Sequence, residues 1–261
     1  MSIKYKMVFS DIDGTLLNSQ HQISAKTMQA IHHISELGIP FILVSARAPS
    51  AMTSYMKQLS SELMVCYGGS LIVDDKLNAI YSITLSEKDL SDLAHTLKDY
   101  DHLSINHYSY EQWFSNNIEN SWTRQESEIT QLQPRPTPTV LPVTHKMLLI
   151  GEAEEIASLE SNLRVQFPHL YIHRSKATYL EIMNKQASKA NAIRIIQELH
   201  QIKTEEIIAF GDNFNDLDMI EYAGLGVAMA NAPVEIQEKA NYVTLSNDED
   251  GVAVVLNRLF S

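Results

Sequence analysis

Three short apolar runs in this chain each end abruptly in a polar loop dense with reactive side chains. Tyr5 to Ser10 runs into Asp11-Ile12-Asp13-Gly14-Thr15-Leu16, Ile39 to Val44 into Ser45-Ala46-Arg47, and Ile207 to Phe210 into Gly211-Asp212-Asn213-Phe214-Asn215-Asp216. Unbroken apolar runs of this length suit strands buried on both faces, which belong to parallel sheets covered by helices. The segments between them read as those helices. Ser24 can cap one whose inner side carries Met28, Ile31, Ile34 and Leu37, with Gly38 to end it. Ala51, Met52, Tyr55, Met56 and Leu59 mark a second, and Leu63 to Tyr67 forms a further strand running into Gly68-Gly69. The resulting βαβαβ pattern implies right-handed crossovers and an α/β fold, with its functional groups at the carboxyl ends of the strands.

The middle of the chain breaks this rhythm. Leu71 to Val73 and Leu77 to Ile83 look like a hairpin leaving the sheet, and Ser86 with Asp89 opens a helix bearing Leu90, Leu93, Ala94 and Leu97. Aromatic and polar residues then dominate from His102 to Trp122, and Pro134, Pro136, Pro138 and Pro142 make a stiff connector. Strand-like runs at Lys146 to Ile150, Leu170 to Arg174 and Tyr179 to Met183, with a helix around Ile156 to Phe167, complete an α+β module. The alternation returns at Lys189, with helices at Ala190 to His200, around Leu217 to Ala223 and at Val252 to Phe260, and a strand at Leu225 to Met229. The expected organisation is a core of residues 1–85 and 185–261 with residues 86–184 inserted. At roughly 100–200 residues per domain, 261 residues hold both parts.

Composition narrows the partners. With 20 Lys and Arg against 32 Asp and Glu the formal net charge is −12, which argues against a nucleic-acid surface. An anionic substrate must therefore be caught by local features working against the overall field. Cys66 is the only cysteine, so no intramolecular disulfide or Cys-rich zinc site is expected. No run approaches the ~18 apolar residues of a membrane span. The first residues do not read as a signal peptide, so a cytoplasmic location is expected.

The residues after the strands suggest chemistry. Asp11 and Asp13, two apart at a strand end, suit a nucleophile and an acid/base beside it. Ser45, with the backbone N–H groups around Ala46, suits a phosphate, and Arg47 could contact substrate or pair with carboxylates. Lys189 opens a helix after Ser188, and Asp212 and Asp216 follow another strand. Asp248 to Asp250 reads as a cap and a solvated loop, with no chemistry assigned. His32, His33 and His145 read as surface or satisfied residues.

Taken in order, DIDGTL, SAR, SKA with its lysine, GDNFND and the tail phrase Asn247-Asp248-Glu249-Asp250-Gly251-Val252-Ala253 resemble the haloacid dehalogenase superfamily. The match is to its Cof-type phosphatases, which carry a large inserted cap of the C2B type, and it spans essentially the whole chain. The resemblance implies a Rossmann-like core with an α+β cap and an Mg²⁺-dependent phosphatase of small phosphorylated metabolites, either sugar or cofactor-type phosphates. Asp11 would be the nucleophile and Asp13 the acid/base. Asp11, the main-chain carbonyl of Asp13 and Asp212 would bind the metal, with Asp216 in or beside its coordination shell. Lys189 and Ser45 would hold phosphoryl oxygens, with Asn215 adding a hydrogen bond. Four carboxylates converging at ~4 Å would repel by about 4 kcal/mol per pair, which a dication relieves; oxygen ligands favour Mg²⁺ over zinc.

Three positions depart from the family pattern: Ala46 and Ala190 replace usual glycines, and Gly68 replaces a common asparagine near the substrate. The cap is expected to act as a lid presenting exposed His107, Tyr108, Trp113 and Trp122, with Glu181 and Arg174 near its exit as further candidates to face substrate. Two other readings fit the same residues: a phosphotransferase or mutase using the same aspartyl phosphate, and a phospho-accepting signalling domain. Asp13 and the insert speak against the second. A monomer or homodimer is expected.

Overall fold

The computed structural model describes residues 4–261. Strand β1 (Met7–Asp11) is followed by helix α1 (Ala25–Glu36), β2 (Phe41–Val44), α2 (Thr53–Leu59) and β3 (Leu63–Cys66). The Ser24 hydroxyl accepts from the Thr27 N–H and starts α1, whose buried side carries Ala30, Ile31 and Ile34. Leu37 lies one residue past the helix end and is 43% exposed, so it leaves the apolar stripe it was expected to extend. Strands β4 (Leu71–Asp74) and β5 (Ala79–Ser82) do not leave the sheet: β4 pairs antiparallel with β3, and β5 forms its edge. A chain with its turn at Asp74–Asn78 can remain hydrogen-bonded, because the Asp74 side chain accepts from the Lys76 and Asn78 N–H groups.

The chain then builds a second unit, Tyr81–Ala187 together with Ala48–Ala51. It contains α3 (Glu87–Thr96), β6 (Ser104–Ser109), β7 (Gln112–Ser115), α4 (Ser121–Thr130), β8 (Arg135–Pro136), β9 (Lys146–Ile150), α5 (Ala153–Gln166), β10 (Leu170–Lys176) and β11 (Tyr179–Asn184). Its sheet order is β10-β11-β9-β6-β7-β8. Leu103, Met147, Leu149, Leu180 and Ile182 pack with Leu90 and Leu93 of α3 and Ile156, Leu159 and Leu163 of α5.

Here one expectation fails. His107, Tyr108 and Trp113 are buried, and Trp122 is half-buried. Tyr108 stacks on Trp113 with centroids 5.8 Å apart, Lys146 Nζ lies 5.2 Å above the Tyr108 ring, and Trp113 Nε1 donates to Asn106 Oδ1. Polar neighbours made this stretch look solvated. Contacts made inside the unit, such as the bond from Trp113 Nε1 to Asn106, are what let these side chains be buried. Glu181 is buried with Lys146 at 3.8 Å, and Arg174 pairs with Glu160. His145 is buried and satisfied, its imidazole pushed down to about 4 by burial.

The remaining elements return to the first unit: α6 (Lys189–His200), β12 (Ile207–Gly211), α7 (Leu217–Tyr222), β13 (Leu225–Ala228), α8 (Val234–Gln237), β14 (Tyr242–Val243) and α9 (Gly251–Phe260). The sheet order is β14-β13-β12-β1-β2-β3-β4-β5, parallel from β14 to β3. Connections run one way from β1 to β2 and β3 and the other way from β12 to β13 and β14. The carboxyl end of β1 is therefore a topological switch point, flanked by the strands that carry the other two motifs. Among the described residues no helix is long and apolar enough to cross a membrane.

Candidate active site

Asp11 closes β1 and is buried. Its Oδ1 accepts from Lys189 Nζ at 2.5 Å, and the same ammonium donates to Asp216 Oδ1 at 2.5 Å. Ser188, whose hydroxyl accepts from the Asn191 N–H, caps α6 and aims Lys189 inward from its first turn. Asp216 is fully buried, and its Oδ2 accepts from the Asp212 and Asn213 N–H groups at 3.0 Å each. That second oxygen folds the loop after β12 over itself, while the first fixes the lysine. Asp212 accepts from the Thr15 hydroxyl at 2.6 Å.

One oxygen from each of Asp11, Asp212 and Asp216 lies within 4.8 Å of the others. Burial pushes the Asp11 carboxyl well up from its ordinary value, and Asp216 adds repulsion that Lys189 only partly offsets. Asp212 is pushed up to about 6, first by burial and then by Asp216, against the opposing Thr15 hydrogen bond. Burial alone would lower the Lys189 ammonium, but Asp11 and Asp216 outweigh it and hold it above its usual range. One ammonium against three carboxylates leaves an excess of negative charge in an all-oxygen donor set. Such a set fits a hard dication, Mg²⁺ in particular.

Asp13 is a correction to the four-carboxylate expectation. Its carboxylate is 48% exposed and takes a bidentate grip from Arg47, Nε to Oδ2 at 2.8 Å and Nη2 to Oδ1 at 2.5 Å. Residues two apart share a face only while the chain stays extended. Here β1 ends at Asp11, and the Leu16 and Leu17 N–H groups both turn back onto the Ile12 carbonyl. Gly14 makes that turn at φ +81°, and a Cβ there would lie 2.4 Å from Asp212 Oδ2. Only glycine fits both conditions. Arg47 therefore pairs with a carboxylate, one of the two roles open to it, and also lies 5.7 Å from the Tyr55 ring centroid.

Ser45 follows β2 and is buried, with Ala46 and Arg47 half-buried beside it. The Ser45 N–H donates to the Val65 carbonyl, and its own carbonyl accepts from the Gly68 N–H. Gly68 has φ 63° and ψ 19°, a left-handed geometry that asparagine also tolerates. Its departure from asparagine thus removes an amide without demanding a new backbone path. Asn215 is exposed in the turn Phe214–Asp216.

Two contacts went unread in the sequence. A Cβ on Gly69 would sit 2.1 Å from the Ser188 carbonyl oxygen, so that glycine lets the loop after β3 pack on the residue before Lys189. Asp218 accepts from the Ala190 N–H at 3.0 Å, joining α7 to the start of α6. The spacing of Asp216 and Asp218 gave no signal of this, because the chain is helical from Leu217 and residues two apart on a helix point to different sides.

Comparison with known proteins finds matches along nearly the whole chain. The profile of the haloacid dehalogenase-like hydrolases matches residues 8–256. A Haemophilus influenzae protein named provisionally as a phosphatase is 44% identical over 258 residues, covering 98% of each chain. The Bacillus subtilis 5-amino-6-(5-phospho-D-ribitylamino)uracil phosphatase YwtE is 27% identical over 282 residues, covering 98% of each. A solved haloacid dehalogenase-like hydrolase from Bacteroides thetaiotaomicron superposes with a TM-score of 0.88 at 31% identity, over 98% of this chain and 100% of its own.

Proposed function

This chain belongs to the haloacid dehalogenase-like hydrolases, and from that membership we propose that it is a phosphatase of small phosphorylated metabolites working through a phosphorylated Asp11. The observation that carries the reading is the contrast in surroundings between two carboxylates. Asp11 is buried on an ammonium within an acidic cluster, whereas Asp13, two residues on, stands exposed outside it. The first suits attack at phosphorus and the second suits proton transfer.

An Asp11 carboxylate oxygen attacks the phosphorus, and the bond to the ester oxygen breaks. Asp13 protonates that departing oxygen, which an alkoxide requires and a halide would not. Asp13, now ionised, takes a proton from water as the water attacks the phosphoryl group, and inorganic phosphate leaves with Asp11 restored. Lys189 and Ser45 hold phosphoryl oxygens, and Asp216 keeps Lys189 in place. Mg²⁺ held by Asp11 and Asp212, with the Asp13 main-chain carbonyl by family resemblance, would shield the negative charge that otherwise repels the nucleophile. Arg47 holds Asp13 until a substrate anion competes for the guanidinium. The small-molecule class is supported by the ribityl-uracil phosphatase among the relatives, and the inserted module is assigned the choice of leaving group.

A panel of phosphorylated metabolites incubated with Mg²⁺, read as inorganic phosphate release, tests this. Release that needs Mg²⁺ and vanishes in Asp11→Asn is expected. No release from any ester, or turnover of Asp11→Asn within about ten-fold of the parent, would overturn it.

A further inference from the structure

The tail phrase from Asn247 to Gly251 takes no part in the steps above, yet it is fastened along the loop that leaves the nucleophile. Asn247 Nδ2 donates to the Leu17 carbonyl at 2.8 Å. Asp248 Oδ1 accepts from the Ser19 N–H at 2.7 Å, and Asp250 Oδ1 accepts from the Ser24 hydroxyl. Nearest the chemistry, Asn231 joins the two segments. Its Oδ1 accepts from the Asn247 N–H at 3.1 Å, and its Nδ2 donates to the Gly14 carbonyl at 2.8 Å. The tail thus meets the loop in order at Leu17, Ser19 and Ser24, and Asn231 extends the line of contacts to Gly14.

Gly14 is the place where such a hold matters. It turns the chain at φ +81° directly after Asp13, and a glycine has more backbone freedom to lose than any other residue. Its carbonyl and the Thr15 N–H share one peptide plane, so the Asn231 bond fixes the plane from one side. Just beyond that plane, the Thr15 hydroxyl donates to Asp212 and anchors the residue that carries the N–H. Asn247 pins the far end at Leu17, the residue that bridges back to Asp13. The amide of Asn231 accepts from Asn247 through its oxygen and donates to Gly14 through its nitrogen, so one side chain serves both segments.

Building on the phosphatase reading, we propose that Asn231 and Asn247 are positioning residues, a latch that holds the turn from Asp13 to Leu17 so that Asp13 keeps its register with Asp11. The tail is then part of the catalytic apparatus without touching substrate.

Three variants test the latch: Asn231→Ala, Asn231→Asp and Asn247→Ala, with Lys239→Ala, which removes an exposed ion pair to Glu221, as control. Asn231→Asp keeps the acceptor for the tail and loses the donor to Gly14, so it separates holding the tail from holding the turn. All three latch variants should lose about 10- to 100-fold in kcat on an alkyl phosphate with KM within about threefold, the scale expected for a small misplacement. The loss should be smaller on an activated aryl phosphate, whose leaving group needs Asp13 less. Melting of the two Asn231 variants should stay close to the parent, because Asn231 is exposed. Unchanged kcat on both esters, or equal losses on both accompanied by a lowered Tm, would overturn the latch. Amide hydrogen exchange across Gly14–Ser24, measured on the same proteins, should quicken in the variants. A parent that cleaves no ester refutes the phosphatase reading, and unchanged exchange then refutes the latch as well.

Discussion

Replacing Lys189 by methionine removes the ammonium that stands between Asp11 and Asp216 while roughly keeping the volume of the side chain. Both contacts are 2.5 Å, and all three groups are buried. Deleting one member of a buried ion pair typically costs about 3–5 kcal/mol, because a charge is left without its partner. Direct repulsion between two carboxylates ~4 Å apart, at an effective dielectric near 20, is of the same size at about 4 kcal/mol. The two figures describe one effect and do not add. Asp11 can escape the repulsion by binding a proton, at about 1.4 kcal/mol for each pH unit above its folded pKa, and this sets a ceiling. The expected loss at pH 8 without metal is therefore about 3–5 kcal/mol, or about 6–20 °C in Tm at roughly 2–4 °C per kcal/mol for a chain of this size.

The pH dependence has a definite sign. The Asp11 carboxyl lies above its ordinary value even with Lys189 present, and removing the lysine raises it further. A raised carboxyl stabilises the fold fully below its unfolded pKa, and the contribution is lost as pH rises through the folded one. The gap between variant and parent should thus narrow as pH falls from 8 to 5. Mg²⁺ should also narrow it by restoring positive charge to the cluster. Urea and thermal unfolding at several pH values, with EDTA or with Mg²⁺, read both effects. A variant melting within about 2 °C of the parent at pH 8 in EDTA would refute the reasoning. So would a gap that widens as the pH falls.

Asp13→Asn should lose about 10²–10⁴-fold on alkyl phosphates and less on an activated aryl phosphate, with phospho-Asp11 accumulating on the latter and detectable by intact mass; equal losses and no trapped adduct would limit Asp13 to shaping the turn. Because the Asp212 carboxyl is pushed up to about 6, protons should compete with Mg²⁺ below that pH. Calorimetric Mg²⁺ affinity should be level above pH 7 and clearly weaker at pH 5.5, and identical affinities at the two would contradict this. Gly14→Ala should disable Mg²⁺ binding as well as turnover, since its Cβ would press on Asp212 Oδ2 at φ +81°; a variant that melts and binds Mg²⁺ like the parent would show that the turn yields. Exchanging the inserted module for that of a relative with different preference should change which ester is cleaved while Mg²⁺ dependence stays; an unchanged ranking in a folded chimera would return specificity to the core.

The features legible in the sequence are those whose physics is local. Strands buried on both faces need unbroken apolar runs, so β1, β2, β3 and β12 and the motifs at their ends stand out from Met7–Asp11, Phe41–Val44, Leu63–Cys66 and Ile207–Gly211. Ser24 as a cap was readable for the same reason, because it serves an N–H three residues away. The residues of the acidic cluster could be nominated, since each follows a strand end at a switch point. Which neighbouring acid stays outside the cluster could not. Whether Asp13 joins Asp11 or turns to Arg47 depends on where β1 stops and on a partner 34 positions away. Lys189 is shared between Asp11 and Asp216 because α6 and the loop after β12 meet across distant stretches of chain. The same holds for the grip of Asn231 on Gly14, which spans 217 positions, and for the burial of Tyr108 against Trp113 and Lys146. Periodicity and capping act within a few residues of one another, and so appear in the sequence. Which side chains meet across the fold is decided by strand order, register and packing, and those exist only in the tertiary structure.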